Sequence, residues 1–212
     1  LVDLKAIVPH TIGIIGIGNI GSHIALNLAR VGIEIFNLYD FDKVELHNTT
    51  SQAYNENNVG KYKVEIIKDE ILKINSDAIV YVHSRASIDS PAWKADNDYL
   101  VVAVDTMAMR KRLAIETTKY NYTYPMRIKR VIDLRVGGEQ VDVFNTIVGK
   151  YRKTIRNNPS VEPCGAQFVA YVSSIAGGLG AKEVIKAIQK KDLPDTISYA
   201  MDVRNMQVVN EI

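Results

Sequence analysis

Residues Gly16-Ile17-Gly18-Asn19-Ile20-Gly21 spell G-x-G-x-x-G, and their flanks constrain this chain more than any other feature. Thr11–Gly16 is a short β-branched run ending in glycine, and Ile20–Val31 carries apolar residues at helical spacing. Strand, glycine turn and helix in that order open a nucleotide-binding α/β unit. The first glycine permits the tight turn, the second admits a ligand to the backbone, and the third lets the helix pack on the strand. The helix N-terminus adds unpaired N–H groups that suit a phosphate. The plainer alternative is a glycine-rich turn that holds no ligand.

The pattern beyond the turn extends this unit. Glu34–Asp40 reads as a second strand. A helix is predicted over Gly60 to Ile74, with Val64, Ile67, Ile71 and Leu72 on one face. Ala78–His83 and Tyr99–Asp105 read as further strands, and Met107 to Tyr120 as a helix. Strands alternating with helices imply a doubly wound, parallel sheet. The pattern then changes to Val131–Val136 and Gln140–Val148, joined as a hairpin at Gly137-Gly138-Glu139. A loop is predicted over Gly149–Pro163, then a helix from Ala166 to Lys190 that Gly177, Gly178 and Gly180 would bend. Ile197–Val203 and Met206–Val209 read as a closing hairpin. The expected fold is α/β, a mostly parallel sheet with an antiparallel extension, in one domain over residues 1–212.

Composition narrows the chemistry. The single cysteine, Cys164, excludes an internal disulfide and every paired-cysteine zinc site, and fits a reducing compartment such as the cytoplasm. No secretory signal opens the chain. Pro163 to Ala181 lacks charge for nineteen residues, but its Gly, Ser and Ala content fits a buried helix better than a membrane span. Net charge is only +2, yet residues 106–156 hold 12 Lys/Arg against 4 Asp/Glu, so one surface is expected to meet anions. Within it, Lys150–Arg156 reads as a solvated loop or a docking surface for an acidic carrier protein, ahead of a nucleic acid such as tRNA. His10, His23, His47 and His83 show no metal-ligand spacing and read as surface or packing residues.

Asp40 ends the second strand, where a carboxylate can accept hydrogen bonds from ribose hydroxyls; NAD and ATP suit that equally. No P-loop is present to hold ATP. The residues that follow separate the two. Asn48 and Gln52 lie four apart, so a helical turn would put their amides on one face, and Lys63 returns an ammonium beside the glycine turn. Asp105 ends the fourth strand at the carboxyl edge of the sheet. A lysine and an aspartate converging on one nucleotide suit phosphate neutralisation and Mg²⁺ ligation, which hydride transfer does not require.

This constellation resembles the ThiF/MoeB/HesA family of adenylating enzymes related to ubiquitin activators. The likeness runs from Gly16 through Asp40-Phe41-Asp42-Lys43-Val44, Asn48 and Gln52, to Gly60 and Lys63. Asp105-x4-Arg110 and a helix at Cys164–Ile188 extend it over most of residues 11–190. The resemblance implies a Rossmann-like fold and a homodimer. It also implies attack of a C-terminal carboxylate, on a ubiquitin-like or sulfur-carrier protein, at the α-phosphate of ATP. By the same resemblance Asp40 would hold ribose, Asn48 and Lys63 the phosphates, and Asp105 the Mg²⁺. Gly16, Gly18, Asn19, Gly21, Asp42 and Gln52 would complete the nucleotide site. Cys164 would form a thioester or persulfide with the activated partner, or simply pack at a helix start.

Three departures bear on function. Ser51 stands where the family has an arginine, and Lys61, Arg110 or a cation of Lys150–Arg156 is the expected substitute. Leu1–His10 offers only Lys5 as a firm cation, against the arginine-bearing arm of relatives, and the zinc cysteines are missing. Adenylyltransferase is the leading reading. A catalytically silent nucleotide- and partner-binding module and an NAD-dependent oxidoreductase are the alternatives.

Overall fold

The computed structural model describes residues 8–84, 97–124, 127–155 and 170–211. Its first strand, β1 (Thr11–Ile15), is apolar on both sides, as a central strand of a parallel sheet must be. Ile12 and Ile14 face one layer and Ile15 the other. β1 pairs in parallel with β2 (Ile35–Tyr39) and with β4 (Tyr99–Val102), while β3 (Ile79–His83) pairs with β2. β5 (Arg130–Gly137) runs parallel to β4 and begins the antiparallel series β6 (Gln140–Thr146), β7 (Thr196–Asp202) and β8 (Gln207–Glu211). The spatial order is β3-β2-β1-β4-β5-β6-β7-β8, the Rossmann-like sheet with the antiparallel extension that the sequence implied. Strand order reverses between β1 and β4, and such sheets collect ligands at the carboxyl ends of the strands beside that reversal.

Helices α1 (Gly21–Arg30), α2 (Lys63–Ile74) and α5 (Ala170–Gln189) cover one face, against Ile12, Phe36, Leu38 and Leu134. α3 (Met107–Thr123) and α4 (Val148–Thr154) cover the other, against Leu100, Val102 and Val131. Ile24 and Leu28 of α1 are fully buried, each contributing about 1.5–3 kcal/mol relative to exposure.

The structure corrects the sequence reading in three places. Part of the expected loop after β6 is α4, because Val148 and Tyr151, one turn apart, both bury against the sheet while Arg152 and Lys153 stay in solvent. α2 starts at Lys63 rather than near Gly60, since Gly60 adopts φ +87° and Tyr62 bridges back to Lys43. The glycines of α5 do not break it: the helix is continuous from Ala170 to Gln189. At Gly177 and Gly180 their use is contact. A Cβ at Gly177 would collide with Cβ of His23 and lie 3.1 Å from its backbone carbonyl carbon, whereas one at Gly178 would meet nothing within 4 Å.

This contrast gives a paired expectation. Gly177→Ala should destabilise the fold by about 1–3 kcal/mol through overpacking against α1. Gly178→Ala should stabilise it by about 0.5–1 kcal/mol through helix propensity. Urea unfolding of the two variants checks both signs, and equal effects would show that α1 and α5 do not touch as described.

Candidate functional site

The glycine turn sits at the reversal of strand order, and its three glycines have different reasons to be there. Gly16 adopts φ +88°, and a Cβ on it would lie 2.7 Å from the carbonyl oxygen of Ala103. A Cβ on Gly21 would collide with the Gly16 carbonyl. At Gly18 a Cβ would meet no protein atom within 4 Å. The protein's own packing therefore requires the first and third glycines but not the second. An open approach to the backbone is what a ligand lying against the turn needs.

Ile17, between the first two glycines, is held from both sides. Its N–H donates to Asp40 Oδ2 at 2.7 Å, and its carbonyl accepts from the Tyr54 hydroxyl at 2.5 Å. Asp40 Oδ1 accepts from the Asp42 N–H at 2.8 Å, and Asp42 Oδ2 meets Lys63 Nζ at 3.0 Å. One chain of contacts thus joins Lys63, Asp42, Asp40 and the turn. Burial pushes the Asp40 carboxyl above its ordinary value of 3.8, although the Asp42 and Ile17 N–H groups and the Lys63 ammonium oppose the shift. Burial, aided by the Asp40 and Asp42 carboxylates, pushes the Tyr54 hydroxyl well up, so it stays protonated as a donor.

The segment after β2 closes over the turn. Leu46–Thr50 is a 3-10 helix that carries Asn48, and Gln52 lies just beyond its end. Asn48 Oδ1 accepts from the Glu45 N–H at 2.9 Å, and Gln52 follows the helix, its N–H bonded to the Asn48 carbonyl. Two residues of α1 fasten the segment: Ser22 Oγ accepts from the Ala53 N–H at 3.1 Å, and His23 Nε2 lies 2.9 Å from the Ser51 carbonyl. Among the described residues, only Asn19 Nδ2 and Gln52 Oε1 are buried side-chain polar atoms without a hydrogen-bond partner. Both belong to the expected site.

The substitutes proposed for the missing arginine fare differently. Arg110 is not available: its guanidinium is buried and bonds Asp133 at 3.1 Å, the Val104 carbonyl at 2.5 Å and the Leu134 carbonyl at 3.0 Å. It anchors the end of β4 instead. Lys61 is exposed near the turn's covering segment, and Ser51 itself is buried. Arg130 and Arg135 are also drawn inward, to Asn145 and Asp133, so the basic middle of the sequence is less basic at the surface than it reads. His47 is exposed beside Glu45, as a surface residue should be.

Asp105 stands exposed just beyond β4, where Thr106 caps α3 by accepting from the Met109 N–H. Among the described residues no three His, Cys, Asp or Glu side chains group as a metal cage. A lone carboxylate can serve Mg²⁺ where phosphates supply other ligands, because that ion keeps several waters. Cys164 lies outside the described residues. No described helix is long and apolar enough to cross a membrane.

The ThiF family profile matches residues 2–211. The chain belongs to the ThiF family. It is 37% identical over 82 residues to ubiquitin-like modifier-activating enzyme 5 of Caenorhabditis briggsae, covering 39% of this chain and 19% of that protein. It is 26% identical over 185 residues to the adenylyltransferase and sulfurtransferase MOCS3 of Culex quinquefasciatus, covering 84% of this chain and 42% of the relative. The match thus spans a fifth to two-fifths of these relatives. Among solved structures, Escherichia coli MccB with selenomethionine MccA superposes with TM-score 0.78 at 23% identity, over 97% of this chain and 64% of that one. MccB with ATP superposes with TM-score 0.75 at 25% identity, over the same shares.

Tyr54 and Ser22 were not legible in the sequence as residues that fasten the turn and its covering segment: no spacing or motif marks them, since each acts through a hydrogen bond to a distant segment.

The Asp40 environment predicts a pH dependence. Its folded value lies above its unfolded one, so ionisation costs stability: the cost sets in above the unfolded value and is relieved as pH falls through the folded value. Relative to Asp40→Asn, the wild-type chain should therefore gain stability between pH 7 and about pH 4. Denaturant unfolding of both proteins across that range checks it, and a wild-type loss would mean that the two N–H donors and Lys63 outweigh burial.

Proposed function

We propose that residues 1–212 act as one ThiF-type domain, an ATP-dependent adenylyltransferase that activates the C-terminal carboxylate of a ubiquitin-like or sulfur-carrier protein. The observation that carries the reading is the turn itself: Gly18 open to a ligand, beside a buried lysine and the unpaired amide nitrogen of Asn19. A carboxylate oxygen bonds to the α-phosphorus while the bond to pyrophosphate breaks, giving an acyl-adenylate. Catalysis of this kind rests on positioning and charge stabilisation.

In this reading Gly16, Gly18 and Gly21 shape the phosphate seat, and Asn19, Asn48 and Gln52 offer it amides. Asp40 retains lone pairs for ribose hydroxyls while holding Ile17 in place. Asp42 keeps Lys63 compensated until a phosphate competes for the ammonium. Asp105 would hold Mg²⁺, which supplies charge neutralisation to the departing pyrophosphate. Cys164 would capture the activated carrier. Two copies are expected to pair, as family members do.

A second reading, a nucleotide-binding module that docks a partner without turnover, draws on one observation. Arg110 is committed to Asp133 and Ser51 is buried, which leaves Lys63 as the one buried lysine among the described residues at the turn.

Thermal unfolding with Mg-ATP and with NAD tests the nucleotide, and ATP–pyrophosphate exchange with carriers ending in Gly-Gly tests the chemistry. Mg-ATP at 100 times its Kd should add about 2.7 kcal/mol. That gain should vanish in Lys63→Ala. A response to NAD alone would sink the adenylation reading, and ATP binding without exchange on any carrier would select the silent module.

A further inference from the structure

Ser173 is the fourth residue of α5, on the stripe that packs against α1, and it is completely buried. Its neighbours on the stripe, Ala176 and Gly177, are small because the helices are close, and an alanine would meet that requirement at 173 as well. The hydroxyl has another use. It donates to Asn19 Oδ1 at 2.7 Å, across 154 residues of sequence, and Asn19 is the residue after the open Gly18.

That bond engages the oxygen branch of the amide. An asparagine side chain presents a carbonyl on one branch and an NH₂ on the other, and the two differ by a half-turn. With Oδ1 committed to Ser173, Nδ2 occupies the opposite branch, buried and without a partner. A buried donor left unpaired is destabilising, so it persists only where something else favours it. The acceptor it lacks is one that the turn could supply with a bound phosphate oxygen. The reverse orientation would present a carbonyl oxygen, which repels an anion.

We propose that Ser173 is a positioning residue for the nucleotide site: it holds the Asn19 amide so that Nδ2, not Oδ1, is offered to a phosphate. The proposal rests on the nucleotide reading above but does not depend on adenylation, since a dinucleotide's pyrophosphate would be held by the same donor. It makes α5 a structural part of the phosphate seat, although no motif in the helix announces it. Gly177 serves the same end, because its lack of a side chain lets α5 approach α1 and keeps Ser173 within reach of the turn.

The test is a ratio of affinities, because misfolding would weaken every ligand while a misdirected amide weakens only those with phosphates. Affinities for ATP, inorganic pyrophosphate and adenosine are measured by calorimetry for the wild type, Ser173→Ala and Asn19→Asp. A hydrogen bond to a charged group is worth about tenfold or more in affinity, and a freed amide loses part of that. Ser173→Ala should therefore weaken ATP and pyrophosphate about three- to tenfold and leave adenosine unchanged. Asn19→Asp, which keeps an acceptor for Ser173 and puts a second oxygen where Nδ2 stood, should weaken the phosphate ligands further and again spare adenosine. Equal losses for ATP and adenosine, or no loss in either variant, would overturn the proposal. A wild type that binds NAD rather than ATP would remove the adenylation reading alone, and the same ratio taken for NAD against adenosine would then decide the role of Ser173. A wild type that binds none of these ligands would remove both.

Discussion

The hydrogen bond from the Ile17 N–H to Asp40 is the contact on which the candidate site depends. Glycine turns are conformationally permissive, and Gly16 and Gly18 on either side of Ile17 supply no side chain to fix the path. Asp40 does so from the end of β2, while Tyr54 holds the Ile17 carbonyl. The two bonds clamp the turn at Ile17. They also recruit the rest of the site: the second Asp40 oxygen orders Asp42, and Asp42 receives Lys63. The raised Asp40 value follows from placing a carboxylate where it must be largely withdrawn from water to do this.

A second cluster anchors the segment after β4, which packs on the turn at Gly16. Asp133 is completely buried on β5 between Arg110, Arg135 and the Tyr151 hydroxyl. A buried carboxylate is tolerated only when paired, and losing a partner costs about 3–5 kcal/mol. Arg110 also grips the Val104 carbonyl, so the same ion pair that satisfies Asp133 ties the chain just before Asp105 to β5. Asp105 is exposed but its backbone is anchored. The network belongs to the fold, yet it places a candidate metal ligand.

The fold was legible because the sequence states it locally. β1 through β5 alternate with α1, α2 and α3 in periods that a single window can detect, and the glycine turn fixes how the first unit closes. α4 was not legible: it is seven residues long with only Val148 and Tyr151 to mark it, among cations that suggest a loop. The candidate site is legible where a motif names residues that the structure joins: the glycine turn, Asp40, Asp42 and Lys63 form one hydrogen-bonded chain. It was misread where a residue's type suggested the wrong partner, as with Arg110, whose guanidinium suits a phosphate but meets a buried carboxylate first. Ser173 lay beyond reach because a lone hydroxyl in an apolar helix carries no periodic signal, and its partner is known only once α5 is seen against α1.

The pairing of Lys63 with Asp42 also bears on how a ligand would leave. Lys63 is 8% exposed at its side chain and Asp42 is 51% exposed. An anion competing for the ammonium displaces a carboxylate that is already half in water and hydrates at little cost. When that anion departs, the carboxylate is still within reach and the buried cation is never stranded. Exchange of one anion for another at Lys63 can therefore proceed with the ammonium paired throughout.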